Sequence, residues 1–268
     1  MLSRYRLALL FLLVVLPVLP ASAQSSEQLQ VGPPPLHRAE PPAAGASAEQ
    51  LENRGDQLRT EKNFLDAGDY YQAALKKSPN CAALFNKIGM CQLGLQRYKE
   101  ATRSFGRAIK ADHTHANAYN NLGVVYYLEK NYSKAIKQYG KAIALEGDAA
   151  SFYSNRGAAY FSKKQYDKAA IDYSKAMEID PEIFERVSRS GVMAQLASPE
   201  DRAHYDYVLA KLYAKMGVPD RSLHYLKKAM EEGYKDIKDV YKDNEFTELR
   251  KDPRFAELMA AKPPAIPE

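Results

Sequence analysis

The sequence predicts an all-α solenoid of stacked helix–turn–helix hairpins closed by a helical cap. Two observations predict it. The first is a strict 34-residue step: Gly55, Gly89, Gly123 and Gly157 keep it, as do Ala67, Ala101, Ala135 and Ala169. Ala74, Ala108, Ala142 and Ala176 keep it too, with the aromatic sets Tyr71, Phe105, Tyr139, Tyr173 and Phe64, Tyr98, Tyr132, Tyr166. The second is that each step holds two stretches of helical apolar periodicity separated by a short turn, the pattern of two antiparallel helices, A and B. Composition agrees with a folded, water-compatible chain: of 268 residues, 46% are hydrophobic and 26% charged. That balance excludes a disordered chain, a collagen-like chain and a multi-span membrane protein.

Taken in order, Met1–Ala23 has the three zones of an export signal. Arg4 and Arg6 give a positive start, Leu7 to Leu16 an apolar run, and Ala21 and Ala23 the small residues a signal peptidase accepts, so cleavage is expected after Ala23. The run is about 13 residues long with Pro17 inside it, short of a membrane span. The mature chain is then expected outside the cytoplasm, periplasmic or extracellular, with no transmembrane segment. Residues 24–47, with Pro33-Pro34-Pro35 and Pro41-Pro42, read as a disordered linker, and residues 261–268 as a loose tail.

Four repeat units follow at 48–81, 82–115, 116–149 and 150–183. In each, the glycine lets helix B approach the backbone of helix A where a Cβ would hold it off. The alanines are small for the same reason, and the aromatics fill the space beside those contacts. One hairpin cannot bury its apolar face alone, so stacked neighbours complete the core. Residues 184–202 read as a spacer that bulges from the stack, and 203–236 as a degenerate fifth unit carrying Leu209, Tyr213, Leu226 and Ala229. The echo of Asn244–Leu249 in Pro253–Leu258 predicts two short helical pieces within a cap at 237–260.

The pattern resembles the tetratricopeptide repeat: Tyr119, Leu122-Gly123, Tyr126, Ala135, Tyr139 and Ala142 in the third unit, and Tyr153, Gly157, Tyr160, Ala169, Tyr173, Ala176 and Pro181 in the fourth. The family's tryptophan is replaced by Leu51, Phe85, Tyr119 and Tyr153. The resemblance implies a right-handed superhelix whose helices A line a concave groove, and a function in binding a peptide or partner protein there. The groove positions it implies are Asn86, Lys87, Met90, Asn117, Asn120, Asn121, Val124, Tyr127, Ser151, Ser154, Asn155 and Phe161, with Asn53, Asp56 and Ala158 beside them. Asn121 and Asn155, one repeat apart, are suited to pairing with an extended backbone, since an amide both donates and accepts. Chaperone-binding members of the family grip a carboxylate with two basic residues and two asparagines. The corresponding places here hold Glu52, Asp56, Lys87, Asn117 and Asn121, or one unit on Asn86, Met90, Asn121, Ser151 and Asn155, without the basic pair.

Other chemistry is sparse. No motif for a phosphate-cradling loop, a nucleophile elbow or a zinc protease is present, so no catalytic residue and no cofactor is assigned and the protein is read as a non-enzyme. His113 and His115 could contribute to a metal site but sit where turn residues are expected, and no metal is assigned. His204 and His224 read as ordinary helix positions. Cys81 and Cys91 are separated by ten residues of one helix, about 15 Å, too far for a disulfide. The formal charge is +5; without Arg4 and Arg6 it is 36 − 33 = +3 over 245 residues, too small and dispersed for a claim on nucleic acid. The function expected is an exported protein-binding scaffold in an envelope-assembly or accessory role. Self-assembly through repeat faces is the second reading, and metal binding through His113 and His115 the third.

Overall fold

The computed structural model describes residues 38–185 and 198–261. Among them there is no strand. Ten helices form five hairpins, helix A before helix B in each: α1 (Ala48–Thr60) and α2 (Phe64–Lys77), α3 (Ala82–Gly94) and α4 (Tyr98–Ala111), α5 (Ala116–Leu128) and α6 (Tyr132–Leu145), α7 (Ala150–Ser162) and α8 (Tyr166–Ile179), α9 (Pro199–Lys215) and α10 (Pro219–Glu231). Three 3-10 turns (Ile237–Tyr241, Asn244–Phe246, Leu249–Lys251) and α11 (Pro253–Ala261) follow. No described helix is long and apolar enough to cross a membrane.

Each hairpin turns the same way. In the first, Lys62 N–H donates to Arg59 O and Asn63 N–H reaches back to Leu58 O, so the last carbonyls of α1 are satisfied by a left-handed residue just past the helix. Lys62, Gln96, Lys130 and Lys164 all take positive φ there, at the repeat spacing; in the fifth hairpin the place is Gly217, φ 73°, the residue that adopts it without steric cost. Ser47 opens α1 with a capping box: its hydroxyl accepts from Gln50 N–H while the Gln50 side chain accepts from Ser47 N–H.

The repeated small residues mark where helices meet. All eight alanines of the two registers are fully buried. A Cβ on Gly55, Gly89, Gly123 or Gly157 would lie 2.5–2.6 Å from a ring carbon of Tyr71, Phe105, Tyr139 or Tyr173. Glycine is therefore required by the ring that lies on it. These rings differ at their tips. Tyr71 Oη donates to Asp56 at 2.7 Å and accepts from Arg59, whereas the buried hydroxyls of Tyr139 and Tyr173 have no protein partner. Tyr139→Phe and Tyr173→Phe are therefore expected to leave stability unchanged or raise it, and Tyr71→Phe to lower it by about 1 kcal/mol. Chemical denaturation of the three variants checks this.

Three departures from the sequence reading are visible. First, the linker assignment does not hold at its end. Ala39 N–H donates to Asp66 at 3.0 Å, Tyr70 Oη to Glu40 O at 3.0 Å and Lys77 Nζ to Ala44 O at 3.4 Å, so Ala39–Ser47 lies along α2. Ala39 and Ala46 join the first core cluster there, so this segment packs on the first hairpin. Second, the fifth unit starts early. Ser198 accepts from Asp201 N–H, and α9 runs 17 residues from Pro199. Most of the expected spacer, 186–197, lies outside the described residues, as do the signal segment and the tail. Third, the cap holds one α-helix; its first expected piece, Asn244–Leu249, is a succession of 3-10 turns. Phe246, Leu249 and Phe255 from this region enter the core of the fifth hairpin.

Cys81 caps α3 and Cys91 is buried inside it, both free; burial pushes the Cys91 thiol up to about 12, which keeps it inert.

Candidate functional site

Helix A of hairpins one to four was expected to line an open groove. The structure leaves Lys87, Met90, Asn117 and Ser151 partly exposed, while Asn86, Asn120, Asn121, Val124, Tyr127, Ser154, Asn155 and Phe161 are buried. The asparagines join helix to helix. Asn155 Nδ2 donates to Asn120 Oδ1 at 3.0 Å, Asn120 Nδ2 to Asn121 Oδ1 at 3.3 Å, and Asn121 Nδ2 to Asn86 Oδ1 at 3.0 Å. One directional chain of amides thus crosses α7, α5 and α3. The reading of Asn121 as a rung open to a peptide backbone is corrected by this, because its amide is committed within the stack. Tyr127 Oη lies 3.0 Å from Ser162 Oγ, and the Phe161 ring meets His204 and Tyr205 edge-on from α9.

At the groove's first end, Lys87 Nζ sits between Glu52 at 2.7 Å and Asp56 at 2.6 Å. Burial opposes the Lys87 charge, but its bonds to Asp56 and Glu52 outweigh that and hold its pKa above the usual lysine value. Burial likewise works against ionised Asp56, and the Lys87 and Tyr71 hydrogen bonds overcome it and lower its pKa. The cation a carboxylate clamp would use is already neutralised.

The histidine pair has a structural place. Asp112 Oδ1 accepts from Thr114 N–H and Oγ1, a turn between α4 and α5 in which His113 is exposed and His115 caps α5. Among the described residues no group of three or more metal-ligating side chains assembles, here or elsewhere.

A cleft that sequence reasoning missed lies where the stack changes its packing. Within the first four hairpins each helix B packs broadly on the next helix A; α8 and α9 barely touch. Aromatic contacts join α9 to α8 and α7 instead: Tyr205 meets Tyr173 at 5.4 Å and Phe161 at 6.1 Å between ring centroids. Beside this joint opens a cleft of about 810 Å³ lined by α7, α8, α9 and the cap. Tyr207 and Tyr234 stack at 4.4 Å, and Tyr166 lies 4.1 Å from His204. Burial keeps the His204 imidazole below its usual pKa. Arg156 holds Asp172 with two hydrogen bonds of 2.8 Å, and its guanidinium lies near the Tyr153 and Tyr160 rings. Lys211 bridges Asp243 at 2.9 Å and Glu245 at 3.5 Å, and Tyr207 Oη donates to Asp243. Ile171 stands on the wall with 68% of its surface exposed.

Two sequence signals mark this cleft. Asp206 occupies the place of Leu51, Phe85, Tyr119 and Tyr153, so α9 lacks the large apolar residue that packs on the preceding hairpin. Ile171 occupies the place of Arg103 and Lys137, an apolar residue where earlier units are charged. Asp206 is buried, with Lys228 at 3.2 Å, and burial pushes its pKa up to about 6 against the Lys228 attraction. The folded state then binds a proton more tightly than the unfolded state, whose value is near 3.8. Its contribution to stability is greatest below that value and is lost as pH rises toward 6. Asp206→Asn is expected to remove this fall, roughly 2 kcal/mol, and to be the more stable protein at pH 7. Urea midpoints across this pH range check it.

The fold is a solenoid of stacked helical hairpins. The chain belongs to the tetratricopeptide repeat family: models described as tetratricopeptide repeat match residues 150–183, 53–112 and 86–144, and one described as TPR repeat matches 126–163. Among solved structures it is similar to PilF of Pseudomonas aeruginosa, at 16% identity over 80% of this chain and 88% of that one, TM-score 0.54. It is also similar to MamA of Desulfovibrio magneticus RS-1, at 18% over 75% and 100%, TM-score 0.49. A third is YrrB, described as a TPR protein with an unusual peptide-binding site, at 18% over 73% and 91%, TM-score 0.46. Among curated proteins nothing matches.

Proposed function

We propose that the protein is an exported, non-catalytic scaffold that holds a segment of another protein, and that the cleft between α8 and α9 receives it. Membership of a repeat family whose members are typically scaffolds supports the general reading. The observation that carries the specific one is the cleft itself. It is of ligand-site size, walled by Tyr153, Tyr166, Tyr207 and Tyr234, and most of its charged groups are already oriented by ion pairs. Aromatic rings of this kind supply large contact area with a polar tip, as interfaces favour. A second reading places the segment along helices A, where Asn117 and Ser151 remain partly exposed one repeat apart.

Export is tested by the mass of the mature protein, expected to begin at Gln24. Binding is tested with a photo-crosslinking residue at Ile171, at Asn117, or at Lys227 on α10 as control, in the native host. One dominant adduct at Ile171 and none at Lys227 supports the cleft. An adduct at Asn117 alone moves the site to helices A. An adduct with the protein itself assigns self-assembly, and none at either position removes the proposal.

A further inference from the structure

The modest net charge conceals a strongly uneven surface. α4 carries Lys99, Arg103, Arg107 and Lys110 with one acid, Glu100; α6 carries Lys134, Lys137 and Lys141 with none. All seven cations are exposed, and none takes part in an ion pair among the described residues. They share a face, because Arg103 and Lys137, and Arg107 and Lys141, stand one repeat apart. Arg107 lies over Phe85 at 6.0 Å and Lys141 over Tyr119 at 5.2 Å, so two of them are steadied by rings in the same place of their hairpins.

The other helices B serve as internal controls. On α8, Ile171 takes the place of Arg103 and Lys137, and Lys175, the counterpart of Arg107, pairs with Glu178 at 3.0 Å. On α10, Lys227 pairs with Glu231 and Lys228 with Asp206. Lysines on a solvated helix face are ordinary. Two adjacent helices stripped of matching acids differ from the rest of the same molecule.

We infer that the exposed face of α4 and α6 docks on anionic phospholipid headgroups at a membrane surface. The face has the charge such a surface requires. Its cations extend along about 16 Å of the α4 axis and about 10 Å of the α6 axis in two rows, and they are long, unpaired side chains that conform to a plane of phosphates. The cleft beside α9 and the two smaller hollows near Lys163 and Tyr234 are lined by none of them. Leu145, 44% exposed at the end of α6, adds one apolar contact. Among the described residues beyond Ser198 most acids alternate with cations and pair with them, so that part of a second copy offers no bare acidic face. The inference is independent of the cleft reading.

The test is co-sedimentation of the mature chain with vesicles of phosphatidylglycerol and phosphatidylcholine in equal parts, against phosphatidylcholine alone. Wild type is expected to partition at least about tenfold more strongly onto the anionic vesicles, and to be released near about 0.5 M salt. The double variant Arg103→Glu, Lys137→Glu is expected to lose that preference by about tenfold or more, with an unchanged thermal melt. Lys227→Glu, Lys238→Glu, of equal charge change on the C-terminal part, is expected to retain it. Equal binding to neutral vesicles, or no effect of the Arg103 and Lys137 reversal, overturns the inference. So does tighter binding to soluble poly-glutamate or single-stranded nucleic acid than to vesicles of equal anionic charge, which assigns the face to a polymer.

Discussion

Gly123→Ala is expected to destabilise the protein by about 3 kcal/mol, toward the top of the range for overpacked interiors. The added Cβ would lie 2.6 and 2.7 Å from two carbons of the Tyr139 ring. That ring has no exposed surface and no direction in which to yield, so α6 must move away from α5. The melting temperature is expected to fall by roughly 5–10 °C for a chain of this size. Hairpins of a stack lean on their neighbours, so loss of protection in amide exchange should extend into the second and fourth hairpins. Gly106→Ala is the control. A Cβ at Gly106, on the exposed side of α4, meets nothing within 4 Å, and alanine there is expected to raise stability by up to about 1 kcal/mol through helix propensity. Thermal melts of the two variants decide the matter. Destabilisation of similar size at both positions would show that the four repeated glycines act through chain flexibility and not through the ring that lies on each.

That glycine could be found without a structure because the repeat writes each contact four times. A hairpin that cannot bury its own face must reproduce the contact chemistry of its neighbour, so Gly123, Ala135 and Tyr139 appear in phase with their counterparts. What the sequence pattern supplies is which residues share a face of a helix. It does not supply what comes to lie against that face. Asn120, Asn121 and Asn155 stand on the expected side of helices A, yet the helices approach closely enough for the amides to satisfy one another. The joint between α8 and α9 was hidden for a related reason. Tyr205, which makes the aromatic contacts there, stands in the register of Leu84, Ala118 and Phe152, a place whose residue changes from unit to unit, and a place that does not repeat leaves no periodic trace. The charge on α4 and α6 was averaged away in a total of +5 and emerges only when Arg103 and Lys137 are placed in one register.

Arg156→Leu is expected to cost about 3–5 kcal/mol, the range for leaving one member of a buried pair without its partner. The Asp172 side chain is only 4% exposed, and both its oxygens are held by the Arg156 guanidinium. The leucine fills much of the same space, so the loss would come from an uncompensated carboxylate and not from a cavity. The chain itself supplies the rescue. In the third hairpin the same two places are Leu122 and Gln138, which pack without an ion pair. Arg156→Leu with Asp172→Gln therefore copies a solution already present one repeat earlier, and is expected to regain most of the lost stability. Failure of the double variant to recover in chemical denaturation would mean that Arg156 acts mainly through Tyr153 and Tyr160, its ring neighbours. Because the pair lines the cleft, the rescued protein also separates stability from recognition. If the oriented charge at Arg156 helps to hold a partner segment, the double variant will be folded and yet lose the crosslink at Ile171. Retention of that crosslink would place the grip on the aromatic walls, with the ion pair serving only to keep α7 and α8 together where no regular fifth hairpin covers them.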